Sequence, residues 1–287
     1  MLNKVPLLAL LLIVGLAGVG LIGLMNPAWA AEGLARPWQL SLQEPMSPVM
    51  EGVNNYHNLL LVVQAGIVIL VLAILGYCIF RFNAKRNPVP SRTSHNTILE
   101  VVWTALPVVI LIIIAIPGLR LLYFHDRAQE VGMTLKVVGH QWYWNYSYPD
   151  HGDFTFDSIM VPDDELEDGQ PRLLTVDNRV VVPVDTNIQI LLTGEDVIHA
   201  WAVPALGIKV DATPGRINER WFRANEEGVY YGMCSEFCGI NHAFMPIEVH
   251  AVSQEAFAEW VAQAQEEFAS RESRPAVDVA ATQRYAR

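Results

Sequence analysis

Two apolar runs, 59–82 and 98–119, separated by a short basic stretch, constrain this chain more than any other feature. The first carries no charge until Arg81 and has Gln64 as its most polar side chain; the second is interrupted only by Glu100 near its start. Each supplies about 20 residues, enough for a helix to cross the ~30 Å hydrocarbon core of a bilayer. Between them, RFNAKRNPVPSRTSHN holds Arg81, Lys85, Arg86 and Arg92 and no acid, which assigns that loop to the cytoplasmic side. The runs thus form a hairpin that enters from outside and leaves again, and everything after about residue 123 is extracytoplasmic. Pro107 is expected to kink the second helix, and Pro117-Gly118 to bend it near its outer end.

A third apolar run, 5–24, follows Lys4 and precedes Ala28-Trp29-Ala30. A basic start, an apolar middle and an A-x-A end describe a secretory signal peptide, 1–30, cut after Ala30; the competing reading is a retained membrane helix. Residues 31–58 bear several prolines and no sustained period, and read as an extended or irregular extracytoplasmic lead-in. These apolar runs explain why hydrophobic residues reach 52% of the chain while charged ones make up only 17%. The charge lies elsewhere. From Asp126 to Val252 there are 20 Asp and Glu against 8 Lys and Arg, a net of −12 beside −11 for the whole chain. Such a surface argues against nucleic acid or anionic lipid as a partner; it suits a basic protein, or serves solubility alone.

From Met133 onward the pattern changes to short runs rich in Val, Ile, Leu and Tyr: 134–138, 179–184, 187–193 and 229–234. Turn-forming clusters such as Pro149-Asp150-His151-Gly152 and Thr213-Pro214-Gly215 separate them, which indicates an antiparallel sandwich or barrel. Ser253 then caps an expected helix with Phe257, Trp260, Val261, Ala264 and Phe268 on one face. The polar end, from about Arg271, is expected to be disordered.

The strongest chemical signal is Cys234-Ser235-Glu236-Phe237-Cys238-Gly239-Ile240-Asn241-His242-Ala243-Phe244-Met245, a C-x3-C-x3-H-x2-M loop just after a strand-like run. A second imidazole, His199, precedes it in Asp196-Val197-Ile198-His199. A bare cysteine pair outside the membrane would read as a disulfide, and two thiolates with two imidazoles as zinc. The added thioether favours copper, for which thiolate, imidazole and thioether are all suitable donors. One thiolate would make a mononuclear site; two can bridge a pair of metals. An electron shared over both metals then changes each bond little, so little reorganisation accompanies its transfer. Cys78, inside the first apolar run, reads as inert packing. His57, His95, His125, His140, His151 and His250 stand isolated and read as structural or solvated.

GHQWYW (139–144), EDVIHAWAVP (195–204), TPGR (213–216) and CSEFCGINHAFMP (234–246) resemble the signature stretches of the cytochrome c oxidase subunit II family. The resemblance implies a two-helix transmembrane hairpin followed by an all-β cupredoxin-like sandwich. The chain then divides into a signal peptide (1–30), the lead-in (31–58), the hairpin (59–123), the sandwich (124–252), a C-terminal helix (253–270) and a tail (271–287). The resemblance implies a CuA centre of two copper ions held by His199, Cys234, Cys238, His242, Met245 and the carbonyl of Glu236. It also implies a magnesium ion touched by the Glu236 side chain at the border with subunit I, which would hold the haems. Trp142 would be the entry point for electrons from cytochrome c, docked on Asp157, Asp177, Glu195 and Asp196. The acid that often follows the aromatic cluster is Ser147 here. Glu100 would stand at the mouth of a proton path, although Thr97-x-x-Glu100 also reads as a capping box. Trp142 and Trp144 would share one side of a strand, so at least one is expected in the core. The cleavable leader points to a bacterial plasma membrane, with the sandwich in the periplasm beside subunit I and the other oxidase subunits. Two other classes compete with electron entry: a tethered copper carrier, and a metal-free structural subunit of a quinol oxidase stapled by a disulfide.

Overall fold

The structure is a computed structural model, and it describes residues 33–89, 91–126 and 130–272. The expected leader and most of the expected disordered tail lie outside the described residues. The first long helix, α1, spans Pro48–Arg81 and begins earlier than the apolar run does. Ser47 is its cap: the backbone there is extended, and Ser47 Oγ accepts from Met50 N at 2.9 Å, with proline at the start of the first turn. Serine at the cap, proline just inside and Glu51 in the first turn are helix-start chemistry, so 48–58 is helical and the irregular lead-in stops at Ser47. The second helix, α2, spans Thr97–Asp126 and runs through both Pro107 and Pro117. Its start is capped by Asn96, whose Oδ1 accepts from Ile98 N and Leu99 N at 3.1 and 3.2 Å. An amide one residue earlier thus does the work expected of Thr97 and Glu100.

Both helices leave their apolar side chains exposed along most of their length, as a lipid-facing pair requires. They meet where Tyr56 Oη donates to Ile114 O at 3.2 Å. A Cβ at Gly118 would fall 2.7 Å from that hydroxyl, so the glycine makes room for the crossing. At 34 residues α1 is ~51 Å long, which exceeds the hydrocarbon thickness and carries its first turns up to the extracytoplasmic domain.

That domain is a sandwich of ten strands: β1 Met133–His140, β2 Tyr143–Tyr148, β3 Phe154–Ser158, β4 Val180–Pro183, β5 Ile188–Gly194, β6 His199–Val203, β7 Ile208–Ala212, β8 Asn218–Phe222, β9 Gly228–Cys234 and β10 Pro246–Val252. They form two five-stranded sheets, in the orders β3-β2-β1-β5-β8 and β4-β10-β9-β6-β7. The expectation of a wholly antiparallel fold needs correction, because β1 pairs with β5 and β4 with β10 in parallel. Each parallel pair joins strands distant in sequence, and alternation along a strand carries no information about the direction of such a partner. Alternation itself is clear: β1, β2 and β5 bury every second side chain, while β4 and β6 are buried throughout.

The core between the sheets is aromatic, with Trp144, Trp201, Tyr146, Tyr148, Phe222 and Tyr230 fully buried. Their polar tips are paired, as burial demands. Trp201 Nε1 donates to Tyr146 Oη at 3.0 Å, and Tyr148 Oη both donates to Val181 O and accepts from Val181 N at 3.0 Å. The third helix, α3, spans Gln254–Glu272, with Ser253 Oγ accepting from Ala256 N. Phe257, Ala264 and Phe268 are buried, and Phe268 stacks on Phe156 with ring centres 4.7 Å apart.

Replacing Tyr148 by Phe leaves both polar groups of Val181 without that partner inside the core. The variant should lose about 2 kcal/mol of stability, read as a lowered unfolding midpoint of the full chain in detergent, with metal binding unchanged. An unaltered midpoint would show that the hydroxyl is not needed.

Candidate metal centre

The site is assembled by strand register. Strands β6 and β9 pair with Trp201 opposite Cys234 and Ala202 opposite Met233, and Ser235 N continues the ladder onto Ala200 O at 2.9 Å. His199, at the start of β6, and Cys234, at the end of β9, therefore arrive side by side although 35 residues separate them in sequence. Pairing of β9 with β10 sets Pro246 opposite Met233, and Cys234 N donates to Met245 O at 3.3 Å. The intervening loop folds back through a 3-10 turn at His242–Phe244, with His242 N donating to Gly239 O.

The donor atoms converge. Cys234 Sγ lies 3.9 Å from His199 Nδ1, 3.8 Å from Cys238 Sγ and 3.3 Å from Glu236 O. Cys238 Sγ lies 3.6 Å from His242 Nδ1 and 3.5 Å from Met245 Sδ. His199, Cys234, Cys238 and Met245 are buried, and His242 is half-buried. Both cysteines are free, and a sulfur separation of 3.8 Å is far from the ~2.05 Å of a disulfide. The ligand atoms of His199, Cys234 and Cys238 all fall within 4.8 Å of one another, a grouping able to hold a metal ion. Thiolates, imidazoles and a thioether in one buried cluster fit copper.

Electrostatics couple these groups. Burial acts to raise the Cys234 thiol, but hydrogen bonds from His199 and from the backbone outweigh it and bring the pKa down to about 6. Burial, and then the neighbouring Cys234 charge, push the Cys238 thiol up to about 12. Burial works against His199 as a cation, yet Cys234 on one ring nitrogen and Asp196 on the other hold it above the ordinary imidazole value. The metal-free cluster thus shares its protons unequally, and a cation would replace them.

Around the donors lies a hydrogen-bonded frame. Asp196 Oδ1 pairs with His199 Nε2 at 2.9 Å and accepts from Val197 N, while Asp196 Oδ2 accepts from Gln141 N at 2.7 Å. Gln141 Nε2 donates to Cys238 O at 2.7 Å, and Trp142 Nε1 donates to the same oxygen at 3.3 Å. Trp144 is buried and donates to Met245 O at 3.3 Å. The two tryptophans do not share a strand face: β2 begins at Tyr143, and Trp142 sits half-buried in the turn before it, beyond the reach of strand alternation.

The other expected site residues are placed as follows. Asp157, Glu195 and Asp196 all act on Tyr143, next to Trp142; burial first, and then these three acids, hold its hydroxyl above the ordinary value. Asp157 accepts from Asn145 Nδ2 at 2.7 Å, and Asp177, exposed, accepts from Ile159 N at 2.7 Å. Glu236 turns its carbonyl to Cys234, and the residue is exposed. Glu100 lies in the first turn of α2, at the helix end away from the sandwich. Sequence reasoning places Asp196 only among the docking acids and gives Gln141 no part. The D-x-x-H spacing of Asp196 and His199 was the available signal for the first; nothing local marked the second.

These features define a membrane-anchored protein whose β-sandwich carries, at one end, a cysteine–histidine cluster able to hold a metal ion. The family model for the periplasmic domain of cytochrome c oxidase subunit II matches residues 133–252, and that for its transmembrane domain matches residues 35–121. A probable cytochrome c oxidase subunit 2 of Rickettsia felis is 49% identical over 259 residues, covering 90% of this chain and 82% of the relative. The cytochrome c oxidase subunit 2 of Oenothera berteroana is 50% identical over 233 residues, covering 79% and 90%. The crystal structure of the periplasmic domain of subunit II of cytochrome oxidase from Bradyrhizobium japonicum is 52% identical, with a TM-score of 0.47, over 50% of this chain and 99% of that one. The chain belongs to the cytochrome c oxidase subunit II family, whose members are subunits of the oxidase complex.

Replacing Cys234 or Cys238 by Ser should weaken metal binding by more than about a hundredfold, and Asp196→Asn, which alters only the partner of a ligand, by about tenfold. Titration of the full chain against a competing chelator reads both, and Cys78→Ser should match the wild type. Equal losses for Asp196→Asn and the cysteine variants would contradict this ranking.

Proposed function

We propose that this chain is the electron-entry subunit of a cytochrome c oxidase, holding a CuA centre of two copper ions. The carrying observation is the donor set at one end of the sandwich: two free thiols flanked by His199, His242, Met245 and the Glu236 carbonyl, with Trp142 on the Cys238 carbonyl. His199, Cys234, Cys238, His242, Met245 and Glu236 O would hold the pair, which supplies a one-electron store of low reorganisation.

The chain's own residues do the rest. Asp196 fixes the tautomer of His199 by accepting a hydrogen bond from its Nε2–H, leaving Nδ1 toward the cluster. The buried walls exclude water, and Trp142 gives a donor a short bonded route from the surface into the metal loop through Cys238. Asp157, Asp177 and Glu195, with the charge of Asp196, would steer basic cytochrome c toward that indole. The Asp196 oxygens are already engaged, so its share in docking is charge rather than a free contact. Electrons would pass on to subunit I, whose haems reduce oxygen to water with proton translocation. The exposed Glu236 side chain would offer one oxygen to a magnesium ion at that border, and Glu100 would stand at the cytoplasmic mouth of a proton path. A signal peptide at 1–30 and a bacterial plasma membrane, with the sandwich in the periplasm, complete the reading.

Copper-loaded full chain should give an electron paramagnetic resonance spectrum in which one electron couples equally to two copper nuclei. A single-copper pattern would instead favour a tethered carrier, and absence of copper binding would leave the structural-subunit reading.

In the same preparation, Trp142→Phe should slow reduction by ferrocytochrome c by roughly tenfold or more at saturating donor, and added salt should slow the bimolecular phase. A salt-independent rate would remove the acidic docking face from the reading.

A further inference from the structure

The turn between β1 and β2 reaches both ligand-bearing loops of the metal centre, and it does so through one residue. Gln141 N donates to Asp196 Oδ2 at 2.7 Å, and the Asp196 carboxylate holds His199 Nε2. Gln141 Nε2 donates to Cys238 O at 2.7 Å, the carbonyl that Trp142 Nε1 also engages at 3.3 Å. Backbone and side chain of a single glutamine thus tie the His199 loop to the Cys238 loop. Gly139 and Gly239 clear the space for this. A Cβ at Gly239 would stand 3.1 Å from Gln141 Nε2 and 3.0 Å from Trp142 Cζ2, and one at Gly139 would stand 2.9 Å from the His199 ring.

We propose that Gln141 is a positioning residue for electron entry: it fixes the Cys238 carbonyl that joins Trp142 to the metal loop. This rests on the copper-pair reading above. A carbonyl held by one donor can swing with the loop; held by two, from adjacent residues of one turn, it cannot move away from the indole without breaking the stronger bond. The Gln141 amide also directs the positive end of a dipole at the thiolate-bearing loop, which stabilises the electron-rich, reduced state. Transfer takes one electron from a ferrous haem donor, leaving it ferric, and Gln141 exchanges no proton in the process.

The test compares Gln141→Met, which keeps the bulk of the side chain and loses the donor, with Gln141→Ala, which loses both. Each is made in the full chain, purified in detergent and loaded with copper; both keep the backbone bond to Asp196. Copper content should match the wild type in both. The midpoint potential should shift downward by a similar amount in both. The limiting rate of reduction by ferrocytochrome c should fall about tenfold, with the half-saturating donor concentration unchanged. Effects confined to Gln141→Ala would make the residue packing only and overturn the proposal, as would wild-type potentials and rates in both variants, or loss of copper from both. A wild-type chain lacking the two-copper spectrum would overturn the copper reading and this inference together. The expected spectrum beside variants identical to wild type would overturn this inference alone.

Discussion

The register of β9 against β6 is the constraint on which the site depends. With Trp201 opposite Cys234, the end of one strand and the start of the other bring a thiolate and an imidazole together in the core. A slip of one residue would turn Cys234 to the other face of the sheet, so the register must be held by something stronger than the site itself. It is held by the aromatic core: Trp201 is fully buried, its Nε1 bonded to Tyr146 of the opposite sheet. A shift of β6 would strand both the indole and the phenol without partners, at a cost of about 1–3 kcal/mol for each group left unpaired, and β9 is held in turn by its own fully buried Tyr230. Fold stability and donor geometry are therefore the same requirement at this point in the molecule.

The second requirement is a fixed relation between the site and the membrane. At the start of α1, Ser47 Oγ donates to Leu206 O and Met46 N to Ala205 O, while Asn225 grips Met46 O and Glu51. At the end of α2, Trp221 Nε1 donates to Phe124 O and Arg220 pairs with Asp126. These contacts lie on different strands and loops of the sandwich, so the domain cannot pivot about a single tether. The ~51 Å length of α1 follows from the same need, since its extra turns are what reach the sandwich.

Much of this was legible in the residues. Hydrophobic length marked the hairpin, alternation marked strands such as β1 and β5, and the C-x3-C-x3-H-x2-M loop marked the donors, because each signal is local. The differences share one cause: they depend on partners distant in the chain. Parallel pairing of β1 with β5 joins residues more than fifty positions apart, and no local pattern records its direction. Ser47 begins a helix that the apolar run alone would start at 59. Gln141 sits in a recognisable GHQWYW stretch, yet its role exists only because β5 and β9 bring two other loops to the same end. Asp196 shows in the sequence only as a docking acid, because charge is visible there, whereas the imidazole that engages it is placed by the fold.

The surface around the donor-bearing loop carries two unlike kinds of side chain. Toward Trp142 and Tyr143 the surface is acidic, with Asp157, Glu195 and Asp196 all acting on the phenol. At the tip of the loop, Phe237 and Ile240 are 79% and 85% exposed, and Phe244 is 44% exposed. Acids of this kind suit brief, salt-sensitive encounters, because rim charges act mainly on association rate. Large exposed apolar side chains suit a lasting contact that removes them from water. On the electron-entry proposal, a carrier that visits and leaves would use the acids, and a permanent subunit the apolar side chains. Both kinds of side chain adjoin the same donor-bearing loop, so on the electron-entry proposal the surface chemistry itself would separate transient from permanent contact.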